Sequence, residues 1–74
     1  MKTATGFSVD EAMARARRIR GLREKCGLTQ TALAAQSGAG VTTIFRIEQT
    51  GRIAPATAEL LAPVLGVTPK DLLK

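Results

Sequence analysis

The chain has 74 residues and a net charge of +5, and 45% of its residues are hydrophobic while only 3% are aromatic. This length suffices for one small domain, near the lower limit at which a single hydrophobic core stabilises a fold. With no histidine and one cysteine, Cys26, the sequence excludes an internal disulfide and a histidine-based catalytic triad, and it offers almost no ligands for a transition metal.

The apolar residues favour helices over strands. Leucine, isoleucine, valine and alanine are plentiful, whereas β-sheets favour aromatic residues and a period of two, both nearly absent here. We therefore expect an all-α fold, a compact bundle of five short helices. Without a membrane-length apolar run or a leader-like hydrophobic segment, we expect a cytoplasmic protein outside the membrane. No nucleophile–base pair is available, so we expect neither catalysis nor a cofactor.

The positive charge is concentrated in the first part of the chain. Residues 1–27 contain seven basic and three acidic side chains, residues 28–54 have a net charge of +1, and residues 55–74 are neutral. Such a basic excess favours a polyanionic partner, and nucleic acid is the commonest one. The alternative is a solvated basic surface without a partner.

Residues 1–7 are predicted to form a flexible arm, and residues 8–74 a single domain. The serine and glutamate of Ser8-Val9-Asp10-Glu11 have the spacing of a capping box, which predicts the start of a first helix. This helix should end near Cys26, because Gly27 can adopt the left-handed conformation that closes helices. At helical spacing its inward side contains Ala12, Ala16, Ile19, Leu22, Arg23 and Cys26.

Charged residues on this first helix have two expected roles. Arg23 lies on the inward side, and a buried guanidinium needs a carboxylate because an unpaired internal charge is very costly. Glu48, later in the chain, is the natural partner. Arg20 is the main candidate for a phosphate contact. The other outward basic residues form a solvated surface or contact phosphates, and they are Arg15, Arg17, Arg18 and Lys25.

The middle of the chain predicts two short helices joined by a bend. The hydroxyl of Thr29 can cap the first of them, over about residues 30–36. Residues 37–40, Ser-Gly-Ala-Gly, interrupt the helical pattern, since glycine tolerates backbone angles that other residues avoid. The second helix, over about residues 41–49, places two isoleucines on one face. Two helices around a glycine turn, with a polar outward face, are typical of a DNA-binding helix-turn-helix.

A fourth helix is predicted after Thr50-Gly51-Arg52, which closes the third. Pro55 suits its first turn, where the missing N–H costs nothing. Pro63 should bend or shorten the helix, because its ring opposes the carbonyl of Glu59. The core residues expected from this helix are Leu60, Leu61, Val64 and Leu65.

A fifth helix is predicted at the end of the chain. In Thr68-Pro69-Lys70-Asp71 the threonine caps, the proline occupies the first helical position and the aspartate lies where a capping-box acid belongs. Leu72 and Leu73 follow. They either pack on the first helix or form a dimer interface.

A family resemblance rests on Leu28-Thr29-Gln30, Leu33-Ala34, Gly38, Thr43-Ile44, Arg46-Ile47-Glu48, Leu65-Gly66-Val67 and Asp71-Leu72-Leu73. This ordered set resembles the helix-turn-helix of the phage repressor and Cro family of small transcription regulators, over about residues 19–73. The resemblance implies a lambda-repressor-like DNA-binding domain. Members of the family often pair an arginine at the position of Arg23 with a glutamate at that of Glu48.

The resemblance also implies which residues contact DNA. Thr29 and Gln30, at the start of the second helix, are predicted to contact a phosphate. Further predicted phosphate contacts are Arg20, Thr43, Arg52 and the amide of Gly51. The third helix is the recognition helix, and its base-reading positions are Val41, Thr42, Phe45 and Arg46.

Two of these base-reading positions depart from the usual polar readers. Val41 and Phe45 can offer only apolar contacts to thymine methyl groups, or they form a hydrophobic patch for a protein. Arg46 can bind guanine with two hydrogen bonds or contact a phosphate, and phosphate contacts are the more numerous class.

The pattern as a whole predicts a sequence-specific transcriptional regulator, most simply a repressor, associated with the nucleoid. It would bind an operator in double-stranded DNA as a homodimer, with half-sites roughly 34 Å apart or a multiple of that distance. The alternative is an antitoxin or another protein-interaction module on the same scaffold, with a toxin or co-regulator docking on Phe45 and Val41 or on the Leu72-Leu73 end. Double-stranded RNA is a weaker option, because its narrow major groove excludes a helix.

Overall fold

The computed structural model describes residues 9–74, which form five helices. They are α1 (Val9–Lys25), α2 (Gln30–Ser37), α3 (Val41–Thr50), α4 (Pro55–Leu65) and α5 (Pro69–Leu73). No strand occurs in this range, and the predicted all-α bundle of five short helices is confirmed. The predicted arm (residues 1–7) and Ser8 of the predicted capping box lie outside the described residues. No helix within residues 9–74 combines the length and the hydropathy that crossing a bilayer requires.

Each helix contributes one large, fully buried side chain to the centre of the core: Ile19, Leu33, Ile44, Leu61 and Leu72. Short helices are marginal in isolation, and most of their stability comes from packing an apolar face. The five helices are therefore held by one shared core. Leu72 is fully buried and Leu73 packs against the same cluster, so the end of α5 belongs to the interior of the domain.

α1 packs against the core through Ala12, Ala16 and Ile19, as predicted. The prediction that Cys26 belongs to the buried side was wrong, because the residue is exposed, and its thiol contacts the edge of the domain, at the Leu65 carbonyl (3.9 Å). α1 ends at Lys25, and the left-handed Gly27 (φ 73°) then turns the chain away, so Cys26 no longer follows the helical period.

α4 differs from its prediction at Leu60, and of the two alternatives predicted for Pro63, a bend or a shorter helix, the shorter helix does not occur. Leu60, expected in the core, is 45% exposed, because the buried stripe of this helix runs through Ala58, Leu61 and Leu65 and leaves Leu60 on the outer side. Pro63 does not shorten the helix, which continues to Leu65. The proline lies in the last turn, where few intrahelical hydrogen bonds depend on it.

α5 starts with the predicted capping box. The Thr68 hydroxyl accepts a hydrogen bond from the Asp71 amide at 3.3 Å, and the Asp71 carboxylate accepts one from the Thr68 amide at 3.0 Å. The hydrogen bond that the Thr68 amide donates to the carboxylate lowers the pKa of Asp71. The cap fixes the first turn of a helix that is only five residues long.

The end of α3 lies against the backbone of α1. Gly51 closes α3 in the left-handed conformation (φ 76°), and a Cβ atom at this position would collide with the carbonyl group of Ala12. One turn further along α1, Arg15 donates from Nη1 to the Gly51 carbonyl oxygen at 2.8 Å. These contacts fix where the third helix ends relative to the first.

Candidate nucleic-acid interface

The bend between α2 and α3 has the geometry that its glycines predict. Thr29 caps α2, because its hydroxyl accepts a hydrogen bond from the Ala32 amide at 3.0 Å. α2 ends at Ser37 and is capped by Gly38, whose left-handed backbone (φ 85°) favours glycine and whose amide donates to the Ala34 carbonyl at 2.9 Å. Gly40 then opens α3 in extended conformation. The result is two helices joined by a three-residue turn.

α3 has one face in the core and one face in solvent. Ile44 and Ile47 are 1% and 2% exposed and attach the helix to the domain. The four predicted base-reading residues lie together on the opposite, exposed side: Val41, Thr42, Phe45 and Arg46. Gln49, one turn beyond Phe45, extends this exposed face. Helical spacing could have identified it from the sequence.

An ion pair between Arg23 and Glu48 holds α3 against α1 from behind. Arg23 donates from Nε to Glu48 Oε2 at 2.7 Å and from Nη2 to Oε1 at 2.9 Å. Its Nη1 donates to the Leu28 carbonyl at 2.8 Å. Both side chains are largely buried, with 11% and 5% of their surface exposed. This two-fold pairing fixes the geometry as well as the charge.

The two charges of this pair stabilise each other. The hydrogen bond that Arg23 donates to Glu48 raises the pKa of Arg23 above its usual value, although burial alone would lower it. Burial alone would raise the pKa of Glu48, but the hydrogen bonds from Arg23 and Gln30 outweigh it, and the pKa lies below its usual value. Both groups are therefore charged at neutral pH.

Gln30 takes part in the ion pair. Its side-chain amide donates to Glu48 Oε1 at 3.0 Å, so this group is engaged inside the domain. The backbone amides of Gln30 and Thr31, in the first turn of α2, find no acceptor within the described residues. A phosphate contact at the start of α2 therefore falls to these backbone amides.

Two shallow grooves lie on either side of the exposed face of α3. The first, which we call the α2-side groove, is lined by Arg20, Thr29, Gln30, Thr31, Phe45 and Gln49, with the ion pair at its base. The second, the α4-side groove, is lined by Thr43, Arg46, Thr50, Arg52 and Thr57. Arg20 and several hydroxyl or amide groups border the first groove, and two cations with three threonine hydroxyls border the second, which Ile47 and Ala54 also line. This arrangement suits a polyanion that has two rows of negative charge, one row in each groove and α3 between them.

The predicted phosphate-contact residues have different surroundings. Arg46 and Arg52 are exposed in the α4-side groove and make no ion pair within residues 9–74. Arg20 is exposed in the α2-side groove, where it pairs with Glu24 at 3.2 Å. Gly51 requires a correction: it is buried and its amide donates to the Ile47 carbonyl at 2.8 Å, so this amide does not reach the surface.

Two arginines of α1 have structural roles that the sequence did not reveal. Arg15 donates from Nε to the Lys74 carbonyl at 2.9 Å, in addition to its bond to Gly51. Arg18 donates from Nη2 to the carbonyl oxygens of Asp71 and Lys74, at 3.2 and 2.9 Å. Both guanidinium groups thus bind carbonyls at the end of α5, and part of the basic excess of α1 stabilises the fold.

Three acidic side chains in the described part of the chain are engaged in contacts within the domain. Glu48 pairs with Arg23, Glu24 pairs with Arg20, and Asp71 belongs to a capping box. Residues 9–74 bring together no group of three or more histidine, cysteine, aspartate or glutamate side chains that could hold a metal ion.

Comparison with known proteins agrees with this geometry. A family model described as a helix-turn-helix domain matches residues 14–73, which span α2, α3, α4, α5 and most of α1. Neither the curated proteins nor the solved structures gave a match. Helix-turn-helix domains typically bind DNA and are typically not enzymes. The chain belongs to the helix-turn-helix domain family.

Proposed function

We propose that the chain is a transcriptional regulator of the phage repressor and Cro type, most simply a repressor, that reads an operator in double-stranded DNA. One observation carries the proposal. α3 exposes Val41, Thr42, Phe45 and Arg46 on one face, while its other face is fixed in the core. A helix presented in this way fits the major groove of B-DNA, which is about 12 Å wide.

The exposed residues of α3 divide the work of base reading. Thr42 donates or accepts a hydrogen bond at a base edge, and its methyl group contacts a thymine methyl. Arg46, at the edge of the α4-side groove, binds guanine or the adjacent phosphate. Val41 and Phe45 supply apolar contacts. The Arg23–Glu48 pair takes no part in reading and keeps α3 in place.

The two grooves beside α3 receive the two phosphate backbones. In the α2-side groove, the first-turn amides of α2, Thr29 and Arg20 contact one strand. In the α4-side groove, Thr43 and Arg52 contact the other. These contacts set the register of α3 without reading sequence, and their strength depends on salt because bound phosphates release counterions.

One domain contacts too few base pairs to select an operator. We therefore propose that the protein acts in the cytoplasm, on the nucleoid, as a homodimer on a pseudo-palindromic site. The two copies of α3 would lie roughly 34 Å apart, one turn of the DNA helix, or a multiple of this distance. Sedimentation of the protein with a duplex that carries one or two half-sites measures this stoichiometry.

A second candidate function rests on the exposure of Val41 and Phe45, which are 44% and 50% exposed. Apolar side chains in this position also suit a protein partner, as in an antitoxin that binds a toxin through the same scaffold. Phe45→Ala separates the two functions. Loss of a protein partner with DNA affinity intact favours the second candidate.

The proposed function is tested by selecting duplexes from a random pool and sequencing them. We expect one enriched, approximately two-fold symmetric sequence. Fluorescence anisotropy should then show affinity for this duplex that falls steeply as salt rises. No enriched sequence, or an affinity that ignores ionic strength, would contradict the proposal.

A pair of charge-matched variants assigns the binding to α3. Arg46→Ala and Lys70→Ala each remove one positive charge, the first from α3 and the second from an exposed position on α5. We expect Arg46→Ala to weaken binding about tenfold or more, and Lys70→Ala to have little effect. Equal losses would mean that net charge alone drives binding.

A further inference from the structure

Two apolar side chains lie on the solvent-exposed face of α3. A face that only contacts water would be expected to be polar. Among residues 9–74 four large hydrophobic side chains are exposed, and Val41 and Phe45 are two of them. They are four residues apart, so they lie one helical turn from each other on the same side of α3. Ile44 and Ile47 already supply the contacts that attach α3 to the core. The exposed pair is therefore available to a ligand.

The charges around this pair identify the kind of surface it meets. Arg46 lies beside it on α3, and Arg20 and the start of α2 lie across the α2-side groove that Phe45 lines. The carboxylate of α3, Glu48, is turned inward against Arg23 with 5% of its side chain exposed. The apolar pair thus has cations and amide donors around it, which complements an anionic partner.

The pair is small. Two side chains one turn apart cover far less than the roughly 800 Å² per partner that a stable protein–protein interface buries. In the major groove, by contrast, the thymine C5-methyl is an apolar group at a base edge that is otherwise made of hydrogen-bonding atoms. A methyl group matches both the size and the polarity of the site.

We propose that Val41 and Phe45 form a binding site for the C5-methyl groups of pyrimidines in the major groove, so that the protein reads thymine through its methyl group and accepts 5-methylcytosine better than cytosine. This inference rests on the proposed DNA-binding function. The four-residue step from Val41 to Phe45 rises about 6 Å along the helix, and one base step is about 3.4 Å. The two methyl groups therefore lie on base pairs one or two steps apart.

The expected effect follows from the burial of a methyl group. Removing one buried methyl weakens binding about fourfold, and removing two weakens it about fifteenfold. Replacing thymine by uracil removes the methyl and leaves every hydrogen-bonding atom of the base in place. Thymine-to-uracil replacement thus isolates this contact from the other determinants of base reading.

The experiment uses the duplex selected from the random pool. Its affinity is measured with thymine, with all thymines replaced by uracil, and with cytosine or 5-methylcytosine at the thymine positions that selection enriches. We expect the uracil duplex to bind about fourfold to fifteenfold more weakly. 5-Methylcytosine should bind about fourfold more tightly than cytosine at the same position.

Protein variants assign the methyl contact to the apolar pair. In Phe45→Ala the ratio of thymine to uracil affinity should fall to about half its value or less, because the methyl loses its partner. Leu60→Ala is the matched control: Leu60 is 45% exposed on α4, away from α3, and its truncation should leave the ratio unchanged. Circular dichroism verifies that both variants are folded.

Three results would overturn the inference. If the selected duplex binds equally well with thymine and with uracil, the apolar pair does not contact methyl groups, and a protein partner becomes the better explanation of its exposure. An unchanged thymine-to-uracil ratio in Phe45→Ala would place the methyl contact elsewhere. If no duplex is selected at all, the DNA-binding function itself fails, and the inference fails with it.

Discussion

Replacing Gly51 by alanine should destabilise the domain more than the same change at any other left-handed glycine within residues 9–74. Gly51 closes α3 with a φ of 76°, and a Cβ here would collide with the backbone of Ala12 in α1. Gly38 closes α2 with a φ of 85°, but a Cβ there meets nothing within 4 Å. Both substitutions therefore force an alanine into the left-handed conformation, but only Gly51→Ala also causes a collision with the α1 backbone.

The magnitudes separate the two effects. The left-handed conformation costs an alanine about 1–2 kcal/mol, which is the whole expected loss for Gly38→Ala. Gly51→Ala adds about 1–3 kcal/mol or more for overpacking, since a backbone carbonyl cannot move aside as a flexible side chain can. A domain of this size has a total stability of about 4–11 kcal/mol, so Gly51→Ala should remove a large part of it.

Urea and thermal unfolding, followed by circular dichroism, measure this difference. We expect Gly51→Ala to melt about 10 °C below Gly38→Ala. Equal melting temperatures for the two variants would refute the reasoning, because they would show that α1 and α3 can separate at this point without loss. The position of α3 would then not depend on close packing against α1.

Three further predictions concern the interior and the ion pair. The fold lowers the pKa of Glu48, so the stability that this carboxylate contributes is complete above its ordinary pKa of 4.5 and is lost as the pH falls below that value. Glu48→Gln should lower the free energy of unfolding by about 3 kcal/mol at pH 7. The stability of this variant should also fall less in acid than that of the parent protein, as measured by urea unfolding from about pH 3 to 7. Arg15→Met should lower the free energy of unfolding by about 1–2 kcal/mol through its bonds to Gly51 and Lys74, whereas exposed Arg17→Met should change it by less than about 0.5 kcal/mol. Leu33→Ala, at a fully buried site, should cost about 2–5 kcal/mol in the same assay, and a smaller loss would mean that the core collapses around the cavity.

The helix boundaries could be predicted because local chemistry sets them. Thr29 and Thr68 cap helices with their own hydroxyl groups, and Gly38 ends one through its backbone conformation. The pairing of Arg23 with Glu48 was also accessible from the sequence, since a guanidinium on an apolar stripe demands a carboxylate. In each case the chemistry of a single residue determines where a helix begins or ends, or which kind of partner a side chain needs.

The remaining features depend on contacts between distant parts of the chain. Arg15 and Arg18 bind carbonyls 36 to 59 residues away, and no periodicity encodes which guanidinium reaches a carbonyl. Leu60 is exposed although it is apolar, because the way α4 packs on the other helices decides which face of α4 is buried. Gly51 was predicted to contact phosphate, but its contact with α1 could be seen only once the helices were packed.

The central claim is that the outward face of α3, together with the start of α2, binds DNA. The most direct measurement is the change in backbone amide chemical shifts of ¹⁵N-labelled protein when the selected duplex is added. We predict the largest changes at Val41, Thr42, Phe45, Arg46 and the first turn of α2. Changes centred on the outer faces of α4 and α5, with α3 unaffected, would contradict the account.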